Sequence, residues 1–489
     1  MIWSVIIHGG AIPWNIVMST RSNNKESNSV DQSVGPNSIG DVVLRSSSPV
    51  DAPITARLYL SYGIGMIGER IFRDTPALLL LVFMTNYLAI PAAMAGVAIF
   101  IPKLLVVFVD PIVGILSDRI RSPWGRRRPL MFFGAILTSA SFLLLFCVPS
   151  IENVWWRAAY MSLMICFAFM AYALFSVPYL SMASEMTVKP AEHTRLMSIR
   201  VVFMAVGLSV GGYAGSVVQL GGGGLPGYRV LAVSFGIVCM ATMFVTVFGT
   251  SRARQCPPDG NVLSLLEQFR MARSNTRYLL LLSVNALQKI AEGVGYGSFA
   301  YFIIYFVHKP VGAIGTIIVG TLTGQVLSQP LWVWLNGRWS RVRIYTIGIA
   351  MWIALLFLWL ALADAPTWQL LLMGLGSGIS AGGFLSVMLM MLADSISRDA
   401  ETSGVKREGT YSGIWLATEK IGVAFGALIV GGVLSLFHFV PSAAGIGAAE
   451  PREAVVGIVI VYVGMNAFMY AASIIPVWLY GRYSEPHLA

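Results

Sequence analysis

The sequence predicts an all-α polytopic membrane protein, with twelve transmembrane helices arranged as two six-helix pseudo-repeats. Three observations predict it. Of 489 residues, 56% are hydrophobic and only 11% are charged, and with a mean hydropathy of +0.73 there is too little polar surface to coat a water-soluble globule. Apolar runs of spanning length recur twelve times between residues 58 and 480, and basic residues crowd every second loop. A span needs roughly 20 mostly apolar residues to cross about 30 Å of hydrocarbon. A helix satisfies its own backbone hydrogen bonds where water cannot, which favours a helix bundle over a barrel.

The spans are apolar runs punctuated by charge, Gly and Pro. Span one, 58–89, follows Arg57 and is apolar apart from Glu69, Arg70, Arg73 and Asp74. Glu69 with Arg73 and Arg70 with Asp74 are i,i+4 pairs, able to neutralise each other in low dielectric. Span two, 92–117, starts after Pro91 and stops at Asp118-Arg119; span three, 129–149, opens on Pro129 behind Arg126, Arg127 and Arg128. Span four, 155–184, runs from Trp155-Trp156 to the residue before Glu185. Spans five, 196–219, and six, 229–249, are divided by a run of glycines from Gly221. Span seven, 277–307, follows the longest polar connection, and span eight, 311–336, follows Lys309-Pro310. Trp332, Trp334 and Trp339 near its end read as an interfacial belt. Spans nine, 343–363, and ten, 367–393, meet at Pro366, and the tenth ends before Asp394. Spans eleven, 409–437, and twelve, 455–480, are separated by a segment holding Pro441 and Pro451.

One set of loops carries Arg119, Arg121, the triplet Arg126 to Arg128, Lys189, Arg195, Arg252, Arg254, Arg270, Arg273, Arg338, Arg341, Arg343, Arg398, Lys406 and Arg407. The opposite set has little beyond Arg157, Arg229, Lys309 and Arg452. The rich side is expected to be cytoplasmic, which puts both termini inside and the chain in the cell (inner or plasma) membrane. Topology thus explains the net charge of +10 better than nucleic-acid binding does.

Residues 1–52 stand apart. Residues 1–18 are apolar but too short to span, and lack the basic n-region and cleavage site of a signal peptide. Ser19 to Ser48 is rich in Ser and Asn and reads as disordered; a start at Met18 would account for the segment equally. The expected domains are a six-helix bundle over 53–249, a cytoplasmic linker over 250–275 and a second bundle over 276–489. Cys147, Cys166, Cys239 and Cys256 are scattered with no CxxC, so neither a disulfide framework nor a metal site is indicated. The five histidines, His8, His193, His308, His438 and His487, form no motif. No loop is long enough for a catalytic domain, which leaves a membrane enzyme acting on lipid-linked substrates a poor reading.

The halves look related. Asp110-Pro111 in span two is followed eight residues after the Asp by Asp118-Arg119, and Gln329-Pro330 in span eight is followed at the same interval by Gly337-Arg338. Gly207 and Gly211 in span five have counterparts in Gly422 and Gly426 of span eleven, a spacing that lets helix backbones approach closely. A six-plus-six repeat around a central cavity is the plan many secondary transporters use for alternating access.

Asp110 lies eight residues, about 12 Å of helix, inside the end of span two. A carboxylate there costs several kcal/mol unless it faces a cavity, a cation or a partner. Lys103, seven residues earlier, lies on nearly the same face and is a candidate counter-charge; a packing ion pair between the two is the bland alternative.

The stretch Asp110-Pro-Ile-Val-Gly-Ile-Leu-Ser-Asp118-Arg119, continued by Arg121-Ser-Pro-Trp-Gly125-Arg126-Arg127-Arg128-Pro129, is the most specific in the chain. Its second part resembles the loop between spans two and three of the major facilitator superfamily. The whole resembles the glycoside-pentoside-hexuronide:cation symporters, the melibiose permease family, over nearly all of residues 57–480. Tyr62-Gly63, Pro178, Arg200, the run Arg407-Glu408-Gly409-x-Tyr411-Ser412 and Lys420 belong to the same resemblance.

The resemblance implies the major facilitator fold and a secondary transporter that moves a small solute, a glycoside or related compound, with a cation. Asp110 would be the cation ligand. Tyr62, Glu69, Arg70, Arg73, Asp74, Ser176, Arg200 and Lys420 would line the substrate cavity, although an ion-pair lattice of purely structural role remains an alternative for the charges of span one. The chain departs from the melibiose pattern at Val106, where that branch has a second carboxylate of its sodium site. With one hard oxygen ligand fewer, H+ is at least as plausible a coupling ion as Na+. Ser176 and Leu180 replace the aspartate and tryptophan that hold galactosides there, and Arg70 stands at an aspartate position, so galactoside specificity does not carry over. Arg200, Lys289 beside Glu292 and Lys420 beside Glu419 suggest an interior with more cations than anions, and hence an anionic solute. Eukaryotic relatives that carry lysolipids keep a non-sugar solute open. Asp118, Arg119, Gly125, Arg126, Arg127 and Arg128 are expected to form a cytoplasmic latch pairing across the halves with Glu185 and Asp394; plain anchoring of the basic side is the alternative. No cofactor, metal or obligate protein partner is indicated beyond the bilayer itself.

Overall fold

A computed structural model describes residues 54–187, 189–251, 273, 275–364, 366–403, 408–442 and 451–484. The expectations for residues 1–52, for most of the linker and for Arg407 fall outside the described residues. The rest is helical: α1 Ala56–Asn86, α2 Ala92–Arg119, α3 Arg128–Phe146, α4 Val154–Met186, α5 Pro190–Gly212, α6 Gly224–Gly249, α7 Thr276–Tyr305, α8 Ala313–Asn336, α9 Arg341–Leu358, α10 Thr367–Ser403, α11 Glu408–Leu436 and α12, which starts with Arg452–Val459, passes through a π-turn at Ile460–Met465 and ends with Asn466–Ser484. These are the twelve expected spans.

The differences from the sequence reading are physical. The fifth span starts six residues earlier than expected, at Pro190, whose ring presets the first helical turn, and breaks at Tyr213 before a short continuation, Ala214–Leu220. α10 runs ten residues past its apolar segment to Ser403, since a helix does not stop where lipid stops. Among the described residues, side-chain caps open three helices: Asn153 accepts from the Trp155 amide, Asn275 from that of Tyr278 and Ser340 from that of Arg343, each satisfying an amide left without an intrahelical partner. Among the described residues, nine helices are apolar and long enough to cross a bilayer by hydropathy alone. Those of α1, α7 and α8 fall short because they carry the interior charges and amides, and the bundle, not lipid, surrounds those groups.

The pseudo-repeat shows in the packing. α5 crosses α1 as α11 crosses α7: a Cβ on Gly207 would lie 2.9 Å from the Ile67 carbonyl, and one on Gly426 2.1 Å from the Gly293 carbonyl carbon. Among the described residues the halves are joined chiefly by α1 with α7, α2 with α11, and α5 with its short continuation against α8.

The apolar core is shared at one end and split at the other. Away from the basic loops, one cluster takes in Leu78 to Met84 of α1, Ala92 to Ile99 of α2, Val294 and Tyr301 to Ile303 of α7, and Ala427 to Leu434 of α11. Toward the basic loops the halves have separate cores, one around Tyr62, Met131, Phe175 and Met243, the other around Tyr278, Trp332, Tyr345 and Met391. Burial of apolar surface therefore holds the halves together only at the end away from the basic loops, called the outer end below. With no shared apolar core on the basic side, the halves part there into a cleft.

Candidate functional site

The site is built on α1, the most enclosed helix. From Ser61 onward its only incompletely buried residues up to Asn86 are Ile64, Ile67, Arg70, Arg73 and Ala77, an i,i+3/i+4 stripe on one face. That stripe looks into the cleft. Glu69 and Asp74, 7% and 1% exposed, lie behind it, and the charges of span one form one lattice. Arg70 Nε is 3.7 Å from Glu69 Oε2 and Arg70 Nη1 is 3.7 Å from Asp74 Oδ2. Arg73 Nε donates to Asp74 Oδ1 at 3.3 Å. The Arg70–Asp74 pair thus has its expected i,i+4 form, whereas Arg73 turns to its neighbour Asp74 instead of to Glu69. Glu69 is taken instead by the buried Tyr172 hydroxyl of α4.

Tyr172 and Met204 had no signal in the sequence. Tyr172 lies seven residues before Tyr179, on one face of α4. Tyr179 stacks on Tyr62 with ring centroids 4.7 Å apart, and each hydroxyl donates to the other's carbonyl. Arg70 Nη2 approaches Met204 Sδ at 2.7 Å, and Arg200 Nε approaches Met66 Sδ at 3.4 Å while its guanidinium lies 5.8 Å from the Tyr179 ring centre. Ser176 is half-buried on α4 between Tyr172 and Tyr179.

Asp110 pairs with Lys420 of α11. The expected partner, Lys103, does not meet it. Seven residues put Lys103 about 10 Å away along the axis, and its ammonium lies instead 5.7 Å from the Phe169 ring centre. The Asp110–Lys420 pair closes a seam between α2 and α11. Outermost, a Cβ on Gly431 would lie 2.4 Å from the Ala92 carbonyl and 3.0 Å from Gly96 Cα; next, the Phe100 and Phe425 rings touch at 4.9 Å; innermost is the ion pair. Asp110 Oδ1 is buried with no hydrogen-bond partner. In the other half, Lys289 Nζ is 2.7 Å from Glu292 and 3.8 Å from Glu419, and the Trp415 indole donates to Glu419 at 3.0 Å. Among the described residues no group of three or more His, Cys, Asp or Glu side chains could hold a metal ion.

The basic cluster comes together, but within one half. Arg127, buried, donates to Glu185 of α4 at 2.6 Å and to Ser117 at 2.9 Å, and is 2.6 Å from Asp118. Arg126 also reaches Glu185 at 2.6 Å, and Arg128 caps the carbonyls of Thr250 and Ser251 at 2.7 and 2.6 Å. Gly125 has φ +95°, a conformation glycine adopts without strain, and it turns the chain from Ser122 into this grip. Arg119 is exposed. Asp394 pairs with Arg341 of its own half. The cluster therefore meets Glu185 as expected, but within one half; among the described residues its expected pairing with Asp394 across the halves is absent in this conformation, because each carboxylate takes the nearest guanidinium of its own half.

A sequence model of the family described as MFS/sugar transport protein matches residues 61–481. The inner membrane symporter YicJ of Escherichia coli (strain K12) is 24% identical over 386 residues, 77% of this chain and 82% of that protein. The glucuronide carrier protein homolog of the same strain is 24% identical over 407 residues, 78% of this chain and 84% of its own length. Among solved structures, a bacterial homologue of the human lysosomal transporter Spinster, inward-facing and unoccupied, superimposes with a TM-score of 0.61 at 15% identity, covering 87% of this chain and 94% of that one.

Proposed function

Because the chain belongs to the MFS/sugar transport protein family, a family of multi-pass membrane transporters and not of enzymes, we propose that it is a cation-coupled symporter of a glycoside or related organic solute, with Asp110 and Lys420 as its coupling pair. The observation that carries this reading is the ion pair itself. It is the innermost link of the α2–α11 seam, and one carboxylate oxygen is buried and left without a hydrogen bond. A proton or a small cation on Asp110 would neutralise the carboxylate and release Lys420. Ion binding would thereby weaken the link that holds the halves in this arrangement, which is how an ion gradient can bias alternating access.

The presence of one carboxylate, with Val106 a turn earlier buried at 5% exposure, favours a proton over sodium, which needs several oxygen ligands. The halves that rock are residues 53–249 and 276–489, joined through 250–275 on the cytoplasmic side. The basic-loop side faces the cytoplasm of a cell membrane, and the cleft is then inward-open. The comparison with a glucuronide carrier homolog supports a glycoside as the solute. Purified protein in liposomes, offered labelled glycosides under an imposed proton or sodium gradient, tests the reading. Accumulation driven by the proton gradient is expected. Accumulation that follows sodium and ignores pH would replace the ion, and no uptake of any glycoside would refute the solute class.

A further inference from the structure

We propose that the free end of the Arg73 guanidinium is an anion subsite, which takes the carboxylate or sulfonate of the transported solute at the closed end of the cleft. This rests on the reading of the chain as a glycoside symporter and deepens it.

Arg73 sits in the middle of α1, where a lipid-facing arginine would be prohibitively costly, yet 41% of its side chain is open. The helix presents a single open stripe, so the opening is the cleft. Only Nε is engaged, with Asp74 at 3.3 Å; among the described residues the two terminal nitrogens have no hydrogen-bond partner. Two parallel N–H groups of a guanidinium match two oxygens of a carboxylate or sulfonate, and in a low-dielectric cleft that pairing is worth far more than in water. Asp74, 1% exposed, fixes the guanidinium from behind.

The neighbours favour an anion. Lys103 and Lys420 both lie within electrostatic reach of Arg73, while the nearby carboxylates Glu69 and Asp74 are already taken by Tyr172 and by Arg70 and Arg73. The facing carboxylate, Glu292, is already held by Lys289 at 2.7 Å. One turn further out, from Ala77 on, the cavity among α1, α2, α4, α7 and α11 has only about 20 Å³, room for about one water. A solute entering from the open side would therefore stop with its leading group at Arg73.

The test uses the full-length protein in detergent with three probes: para-nitrophenyl β-glucuronide, para-nitrophenyl β-glucoside and para-nitrophenyl α-sulfoquinovoside. The parent protein should bind at least one anionic probe about tenfold or more tighter than the neutral one, and the glucuronide and sulfoquinovoside arms separate carboxylate from sulfonate. Arg73→Gln should reduce that preference by about tenfold, and Arg73→Lys, which keeps the charge but not the fork, by less. Equal or tighter binding of the neutral glucoside by the parent protein overturns the subsite and leaves the glycoside reading standing. This comparison needs no variant to fold. A preference retained in Arg73→Gln also overturns it, and binding of none of the three overturns the subsite and the glycoside reading together.

Discussion

Arg127 shows what one side chain decides. Its position after Gly125-Arg126 marked it as part of a latch between the halves, but its guanidinium is buried against Glu185, Ser117 and Asp118 of its own half. Removing one partner of a buried ion pair costs about 3–5 kcal/mol, because the other charge is left stranded. Glu185, 4% exposed, keeps Arg126 as a second partner, so the low end of that range is expected. Arg127→Ala should lower thermal stability by about 3 kcal/mol, whereas Arg119→Ala, at an exposed position, should change it by less than about 0.5 kcal/mol; a thermal-shift assay on the purified proteins compares them. Equal stability of the two variants would return Arg127 to an anchoring role. Partner choice of this kind is not legible in a sequence. Spacing placed Arg70 beside Asp74 and Lys103 on the face of Asp110, but only the neighbouring helices decide that Asp110 meets Lys420 and that Tyr172 takes Glu69.

The elements were far more legible than the partners. Apolar runs and basic loops located all twelve helices, because most of a lipid-facing or core-facing run is apolar; even in α1, α7 and α8 the interior charges and amides interrupt the run without ending it. Where the reading slipped, at the start of the fifth span and the end of the tenth, the helix extends beyond the hydrocarbon and leaves no apolar trace. Small-residue spacing also carried over: Gly207 lets α5 approach α1 as Gly426 lets α11 approach α7. The contact of Gly431 with the Ala92 carbonyl at 2.4 Å was not foreseen, since it joins elements far apart in sequence. It gives the second prediction. Gly431→Leu has no room against Ala92 and Gly96, so it should wedge α2 from α11 and open the outer end. A cysteine at Thr85, which is fully buried in the outer contact between α1 and α7, should then be labelled several-fold faster by an impermeant maleimide than in the Thr85→Cys parent. Unchanged protection would show that this seam does not hold the outer end shut.

For the molecule as a whole, the shared outer core and the split inner cores describe one state of a two-state machine. Membrane orientation follows from the loops. A cysteine at Glu152, exposed between α3 and α4, should react with an impermeant reagent outside intact cells, and one at Arg121, exposed between α2 and α3, should react only after lysis; the reverse pattern would invert the topology. The composition showed that the chain spans a membrane and the repeat showed that it has two halves. Neither could show which end of the cleft is open, because the two states of a transporter share one sequence. Coupling through Asp110 is the central claim, and proteoliposomes test it with one pair of assays on Asp110→Asn: uptake driven by an ion gradient, and exchange of labelled for unlabelled solute with no gradient. Without a carboxylate at the seam to take up the ion, the variant should no longer accumulate solute above its outside concentration, while exchange, which needs the halves to alternate but no ion to be released, should persist. Gradient-driven accumulation at the parental level by Asp110→Asn would contradict the account and leave the pair with Lys420 a packing contact.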